Sequence, residues 1–202
     1  MTVQKGRSSL IDTFFVDTNV LLDYLEKRHK EVYRVVFELL RLSREGKIIL
    51  ATSIFNIAEL LEKELDIAFY SKCMRKKMSC DEIIRLAKNK GRSYEKTLEN
   101  CRGRLESRVK KLIEKNDILL LSLPENIDPL EQVCDLGVNT FLSSQDVMIV
   151  TTALANSVTY FLSNDNELVK KLGQNGSFYV FNLRKDEQRE IFCNTVLKVV
   201  QS

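Results

Sequence analysis

The chain has 202 residues, 44% hydrophobic and 29% charged, with 7 Gly, 2 Pro and a formal net charge of +3. That length suits one domain with a sizeable core, and the scarcity of Gly and Pro excludes a low-complexity chain and favours long regular elements. The longest apolar runs fall short of the roughly 18 residues a membrane span needs, and no apolar leader opens the sequence, so a soluble, cytoplasmic protein is expected.

The first element is "TFFVD", residues 13–17, an apolar run closed by Asp17. A buried, unpaired carboxylate costs several kcal/mol or shifts its pKa until it is neutral, so Asp17 needs a partner or a cation. A helical pattern follows at once in "TNVLLDYLE". The single histidine, His29, lies in "EKRHKE" and reads as a surface residue. His-dependent triads and His-rich zinc sites are thereby excluded, and acid/base or metal chemistry falls to carboxylates. A second strand, "KIILATS" (47–53), leads into a helix that carries Glu59 early, in "TSIFNIAELLEKEL".

More than sixty residues then precede the third strand, "DILLLSL" (117–123), too many for one crossover helix. They carry their own helix signals. "SCDE" (79–82) is a capping box before "IIRLAKNKG", Gly91 is placed to end that helix, and Tyr94, Leu98, Cys101, Leu105 and Leu112 recur at helical spacing. A helical insertion over 63–116 is expected. It holds 16 Lys and Arg against 8 Asp and Glu, a net of +8, which leaves the remainder at −5. Arg104, Arg108, Lys111 and Lys115 form a stripe suited to a phosphate backbone, and Lys72, Arg75, Lys76 and Lys77, near Phe69 and Tyr70, are further nucleic-acid candidates. A solvated face or a dimerisation hairpin is the plainer reading of the same arm.

"SVTYFLS" (157–163) and "SFYVFN" (177–182) complete five predicted strands alternating with helices, the rhythm of an α/β domain with a mostly parallel sheet covered on both faces. In such sheets ligands sit at the carboxyl ends of the strands. The five cysteines, Cys73, Cys80, Cys101, Cys134 and Cys193, have no knuckle spacing and read as free, mostly packed thiols.

Four acids stand at strand ends or early in the helices that follow: Asp17, Glu59, Asp146 in "LSSQDVMIVTTALA" and Asp165 in "YFLSNDNEL". One pair of carboxylates at about 4 Å repels by roughly 4 kcal/mol at an effective dielectric near 20. A cluster of four therefore needs protons or cations, and oxygen ligands without His or Cys select Mg²⁺ or Mn²⁺. Such a site suits phosphodiester hydrolysis. Taken singly, Asp17, Asp146 and Asp165 also read as helix N-caps, and Glu59 as part of a solvated face with Glu62.

These motifs resemble the PIN-domain nucleases. "FFVDTNVLLDYL" is similar to their opening motif, "IFNIAELL" to the second, "QDVMIVTTALA" to the third, and "YFLSNDNEL" to the last, with Ser163 in the usual Thr position. The resemblance spans residues 13 to about 182 and implies a Rossmann-like three-layer α/β/α fold over a single domain, 1–202. It further implies RNA cleavage with Mg²⁺ or Mn²⁺, metal ligands at Asp17, Glu59, Asp146 and Asp165, and Asn19 in support. The insertion is longer than a compact toxin-type PIN domain carries, and Asn164 and Asn166 make the last motif more polar. Asn19 removes the second acid that a haloacid-dehalogenase phosphatase would need, and no phosphate-binding glycine motif occurs. The expected function is a metal-dependent ribonuclease with water as nucleophile and the basic insertion guiding RNA. The alternatives are a non-catalytic RNA-binding or scaffold protein and, less favoured, a toxin held by a protein antitoxin; a homodimer is a further expectation.

Overall fold

Phe14 and Phe15 set the architecture, because neighbouring residues on a strand face opposite ways and both of these are fully buried. A strand buried on both faces must lie inside a sheet with helices on either side. In the computed structural model, which describes residues 11–88, 92–115, 117–123, 133–134, 136–138, 141–173 and 178–201, that strand is β1 (Thr13–Val16), the centre of a sheet ordered β3-β2-β1-β4-β5. The other strands are β2 (Ile49–Ser53), β3 (Leu119–Leu121), β4 (Tyr160–Ser163) and β5 (Tyr179–Asn182), and every pairing is parallel. The sheet expected to be mostly parallel is wholly so among the described residues.

Two cores result. On the Phe14 face pack α1 (Thr18–Glu26), α2 (Lys30–Arg44), the first half of α3 (Ile54–Arg75) and the end of α5 (Arg92–Lys115), through residues such as Leu21, Leu39, Leu60 and Leu112. Against Phe15 pack α6 (Ser144–Ala155) and α7 (Asn166–Leu172), through Val147, Val150 and Leu168. Rings stack across the strands on each face, Phe14 on Tyr160 at 4.6 Å and Phe15 on Phe161 at 5.1 Å. Gly46, at a φ of 69°, takes the left-handed turn between α2 and β2 that a side chain would strain. The chain closes with α8 (Asp186–Ile191), a π-helical turn (Phe192–Leu197) and α9 (Lys198–Gln201).

The arm between β2 and β3 is helical. Its α4 (Cys80–Lys88) opens with the expected capping box: Ser79 N–H donates to Glu82 Oε2 at 2.8 Å, and Glu82 N–H to Ser79 Oγ at 3.3 Å. Gly91 and the side chains of Tyr94 and Leu98 lie outside the described residues. Leu105, Val109 and Leu112 are buried, so the apolar face of α5 is real over that stretch. Residue 63 marks no boundary, since α3 runs through it unbroken to Arg75.

Phe69 is buried rather than available to a ligand, while Tyr70 is half-exposed beside it. The five thiols are free, but only Cys73 is buried and Cys80 and Cys134 are exposed, which corrects the expectation that most are packed. His29 caps α2, accepting from Val32 N–H through Nδ1 at 3.4 Å. Among the described residues no helix is long and apolar enough to cross a membrane.

Candidate active site

The register β1–β4 pairs Val16 with Leu162, and the next residues, Asp17 and Ser163, emerge side by side at the carboxyl edge. Ser163 Oγ donates to Asp17 Oδ2 at 2.7 Å. From the other flank comes β2, whose last residue, Ser53, is the N-cap of α3. Ser53 Oγ accepts from Asn56 N–H while the Asn56 amide oxygen receives Ser53 N–H, a capping box with Asn in the place usually held by Glu or Gln. That box aims the remaining Asn56 Nδ2 at Asp17 Oδ1, 3.1 Å away, and at Thr18 Oγ1, also 3.1 Å. One turn later, Glu59 Oε2 accepts from Thr18 Oγ1 at 2.6 Å. The turn after that brings Lys63, whose Nζ lies 2.6 Å from Glu59 Oε1 and 2.9 Å from Asn19 Oδ1.

Asp17 is 3% exposed, and its carboxyl pKa is pushed up to about 6, chiefly by burial. The Ser163 hydrogen bond opposes this, the charge of Glu59 adds to it, and the Thr18 N–H and Lys63 oppose it again. Hydrogen bonds thus hold the carboxylate in place without cancelling the cost of its charge. The candidate ligands here, Asp17 and Glu59, are oxygen donors, the class a hard divalent cation takes.

The four acids do not stand together equally. Asp17 and Glu59 share one hydrogen-bonded network with Asn19 and Ser163. Asp165 joins it through its backbone, since its N–H donates to Ser163 Oγ at 3.0 Å, while its carboxylate caps α7 by accepting from the N–H groups of Glu167 and Leu168. Asp146 is the third residue of a box in which Ser143 is the N-cap, and its Oδ2 accepts from Ser143 Oγ at 2.7 Å. The cap reading holds for Asp17 and Asp165, and Asp146 sits three residues past the cap position, which Ser143 holds. Glu59 does not belong to a solvated face, unlike its neighbour Glu62. Among the described residues no three His, Cys, Asp or Glu side chains are grouped closely enough to hold a metal ion.

A second layer supports the edge. Asp23, fully buried, receives Nε and Nη2 of Arg184 at 2.7 and 2.6 Å and Nδ2 of Asn164 at 2.8 Å, tying α1, the residue after Ser163 and the segment after β5 together. Asn166 receives Asn182 Nδ2 at 2.9 Å. Sequence reasoning missed Thr18, Asn56, Lys63, Asp23 and Arg184. The i, i+4 spacing of Glu59 and Lys63 was a legible signal; the others depend on pairings distant in sequence.

The basic candidates divide. Arg108 ion-pairs with Glu26 and with Glu64 at 2.5 and 2.8 Å and donates to Leu25 O, so it pins α5 to α1 and α3. Burial pushes the Glu64 carboxyl upward, opposed by Arg108. Lys111 and Lys115 line a cleft beside Arg108. Lys72, Arg75, Lys76 and Arg104 line another, and exposed Lys77 follows at the end of α3.

No protein-family model matches the chain, and no curated protein matches it. Two solved structures are similar to it: "VapBC2 from Rickettsia felis bound to a DNA fragment from their promoter", with 12% identity, 83% of this chain and 96% of that chain covered and a TM-score of 0.47, and "VapBC-1 from nontypeable Haemophilus influenzae", with 13% identity, 86% and 99% covered and a TM-score of 0.46.

Proposed function

We propose that this chain is a PIN-type, divalent-metal-dependent ribonuclease whose centre lies at the carboxyl edge of β1 and β4. The observation that carries the reading is the Asp17 carboxylate, buried at the end of a central parallel strand with Glu59 in the same network and no ion pair of its own among the described residues. Asp17 and Glu59 would hold a Mg²⁺ or Mn²⁺ ion, and Asp146 and Asp165 would complete the proposed ligand set once their carboxylates leave the hydrogen bonds they make at the starts of α6 and α7. Such an ion, when bound, activates a water and offsets charge on the phosphate.

The chain's own groups do the rest. Ser163, Thr18 N–H and Asn56 fix the plane of the Asp17 carboxylate, so no reorganisation is needed there. Thr18 orients Glu59. Lys63 holds a positive charge beside Glu59 and Asn19, in reach of an incoming phosphodiester. The basic arm supplies attraction for the backbone, which positions RNA without reading its bases.

Lys63 also supports a second reading. It already supplies a cation to Glu59, as a non-catalytic RNA-binding relative would need. Cleavage of a labelled single-stranded RNA, titrated with Mn²⁺ and with Mg²⁺, separates the two for the wild type and for Asp17→Asn and Asp146→Asn. Metal-stimulated cleavage lost in both variants, with circular dichroism unchanged, is the expected result. RNA bound but uncut by the wild type under either metal would replace the nuclease reading with the binding one.

A further inference from the structure

Beyond the carboxylate edge, α3 and α5 continue as an antiparallel pair: Arg108 meets Glu64, while the earlier Asn100, Cys101 and Arg104 face the later Lys72, Arg75 and Lys76. The pair is held firmly, by that ion pair and by buried Leu65, Phe69, Cys73 and Leu105. Between its outer halves lies a cleft of about 420 Å³ whose lining includes four cationic side chains and, among the described residues, no acid. On the rest of α5 three cations are committed to carboxylates, Arg102 to Glu106, Lys110 to Glu114 and Arg108 to Glu26 and Glu64. In the cleft, Arg75 donates to the Ser71 carbonyl and Arg104 reaches the Cys101 sulfur at 3.6 Å, neither of which neutralises a charge.

Arg75, Lys76 and Arg104, gathered at one cleft, repel each other, and a polyanion relieves that repulsion while releasing counterions. The repeat of cations along two helices suits a run of phosphates better than one compact anion. Thirteen residues of α3 separate Glu59 from Lys72, which at the rise of a helix is roughly 20 Å, or on the order of six stacked nucleotides.

Resting on the ribonuclease reading, we propose that the cleft formed by Lys72, Arg75, Lys76 and Arg104 is a remote phosphate-binding subsite for single-stranded RNA. It anchors the strand well away from the carboxylates and so sets a minimum substrate length. A short oligonucleotide reaches the acids or the cleft, and only a longer one reaches both.

The test is fluorescence anisotropy with labelled single-stranded RNAs of about 4 and about 12 nucleotides, in EDTA so that binding is read without cleavage. Wild type is compared with a triple variant, Arg75→Ala/Lys76→Ala/Arg104→Ala, whose three sites are exposed. The expected result is a roughly tenfold or greater loss of affinity for the longer RNA at about 0.1 M salt, with the slope of log K against log salt reduced by about 2. The gain in affinity from the shorter to the longer RNA, large in the wild type, should be mostly lost in the triple variant, and cleavage of the longer RNA by the wild type in Mn²⁺ is followed separately. Equal affinity and equal slope for the longer RNA overturn the proposal. So does a change of sedimenting mass from dimer to monomer with RNA binding unaltered, which would make the cleft a contact between two copies. A wild type that never cleaves, alongside a triple variant that loses the longer RNA, leaves the subsite standing and removes the nuclease reading; normal cleavage with unaltered binding does the reverse.

Discussion

Asp17 carries its charge where water is nearly excluded, and the cost can be followed with pH. Its pKa is about 6 in the fold against an ordinary 3.8, so the fold binds the proton more tightly than the unfolded chain does. The stability that protonation confers is complete below about 3.8 and is lost as pH rises through about 6. By pH 7 the charged carboxylate therefore costs on the order of 3 kcal/mol in metal-free protein. Asn fits the same place, its oxygen toward the donors of Thr18 and Asn56 and its nitrogen toward Ser163 Oγ. In EDTA, Asp17→Asn should be more stable than wild type at pH 7, with the advantage shrinking towards pH 4; urea denaturation at both pH values measures it, and a pH-independent difference would mean the charge is solvated after all. At this scale the sequence disclosed Asp17, because an acid closing an apolar run is conspicuous. Asn56 was illegible, since its role needs the capping box of α3 and the approach of β1 to β2 at once.

Among the elements, the tie between α1 and the ends of β4 and β5 is the firmest polar contact of the edge. Asp23 is fully buried and Arg184 grips both of its oxygens. Removing the guanidinium strands a carboxylate inside the protein, a loss on the order of 3 kcal/mol. Arg184→Ala should lower the midpoint of urea unfolding accordingly, while Arg34→Ala, whose pair with Glu31 is exposed, should move it little. Nothing in "VLLDYLE" distinguishes Asp23 from a solvated acid, because its partner lies 161 positions away. The strands were legible as apolar runs, with each run read somewhat longer than the hydrogen-bonded strand. The long α3 was read only in its first half, since its second half belongs to the arm and carries a mixed polar pattern.

Across the whole molecule, a net charge of +3 conceals an arm of +8 on a body of −5, and the acids at issue lie on the body or at the root of the arm. Binding of a divalent cation to the folded chain alone must raise its stability, by about 2.7 kcal/mol at a hundred times the Kd. Thermal unfolding with and without Mn²⁺ should therefore show a rise in Tm for wild type, reversed by EDTA and absent in Asp17→Asn; an equal rise in both would place the ion elsewhere. The three-layer order was legible because alternating apolar runs and helical periods admit few other solutions. The shared network of Asp17 and Glu59, and the seating of the Asp146 carboxylate on Ser143 rather than at the cap position, were not, because they depend on which way side chains face once the elements are packed.

That register has a consequence in time. The bond from Ser163 to Asp17 joins residues 146 positions apart, across two neighbouring strands. A ribosome adding about 5–20 residues each second delivers Glu59 roughly 5 to 20 s before Ser163. Until β4 arrives, β1 lacks a flank and Asp17 lacks the hydroxyl that orients it, so a nascent chain carries the acids but no finished site. On the ribonuclease reading proposed above, RNA beside a nascent chain would meet no finished site until that strand has docked.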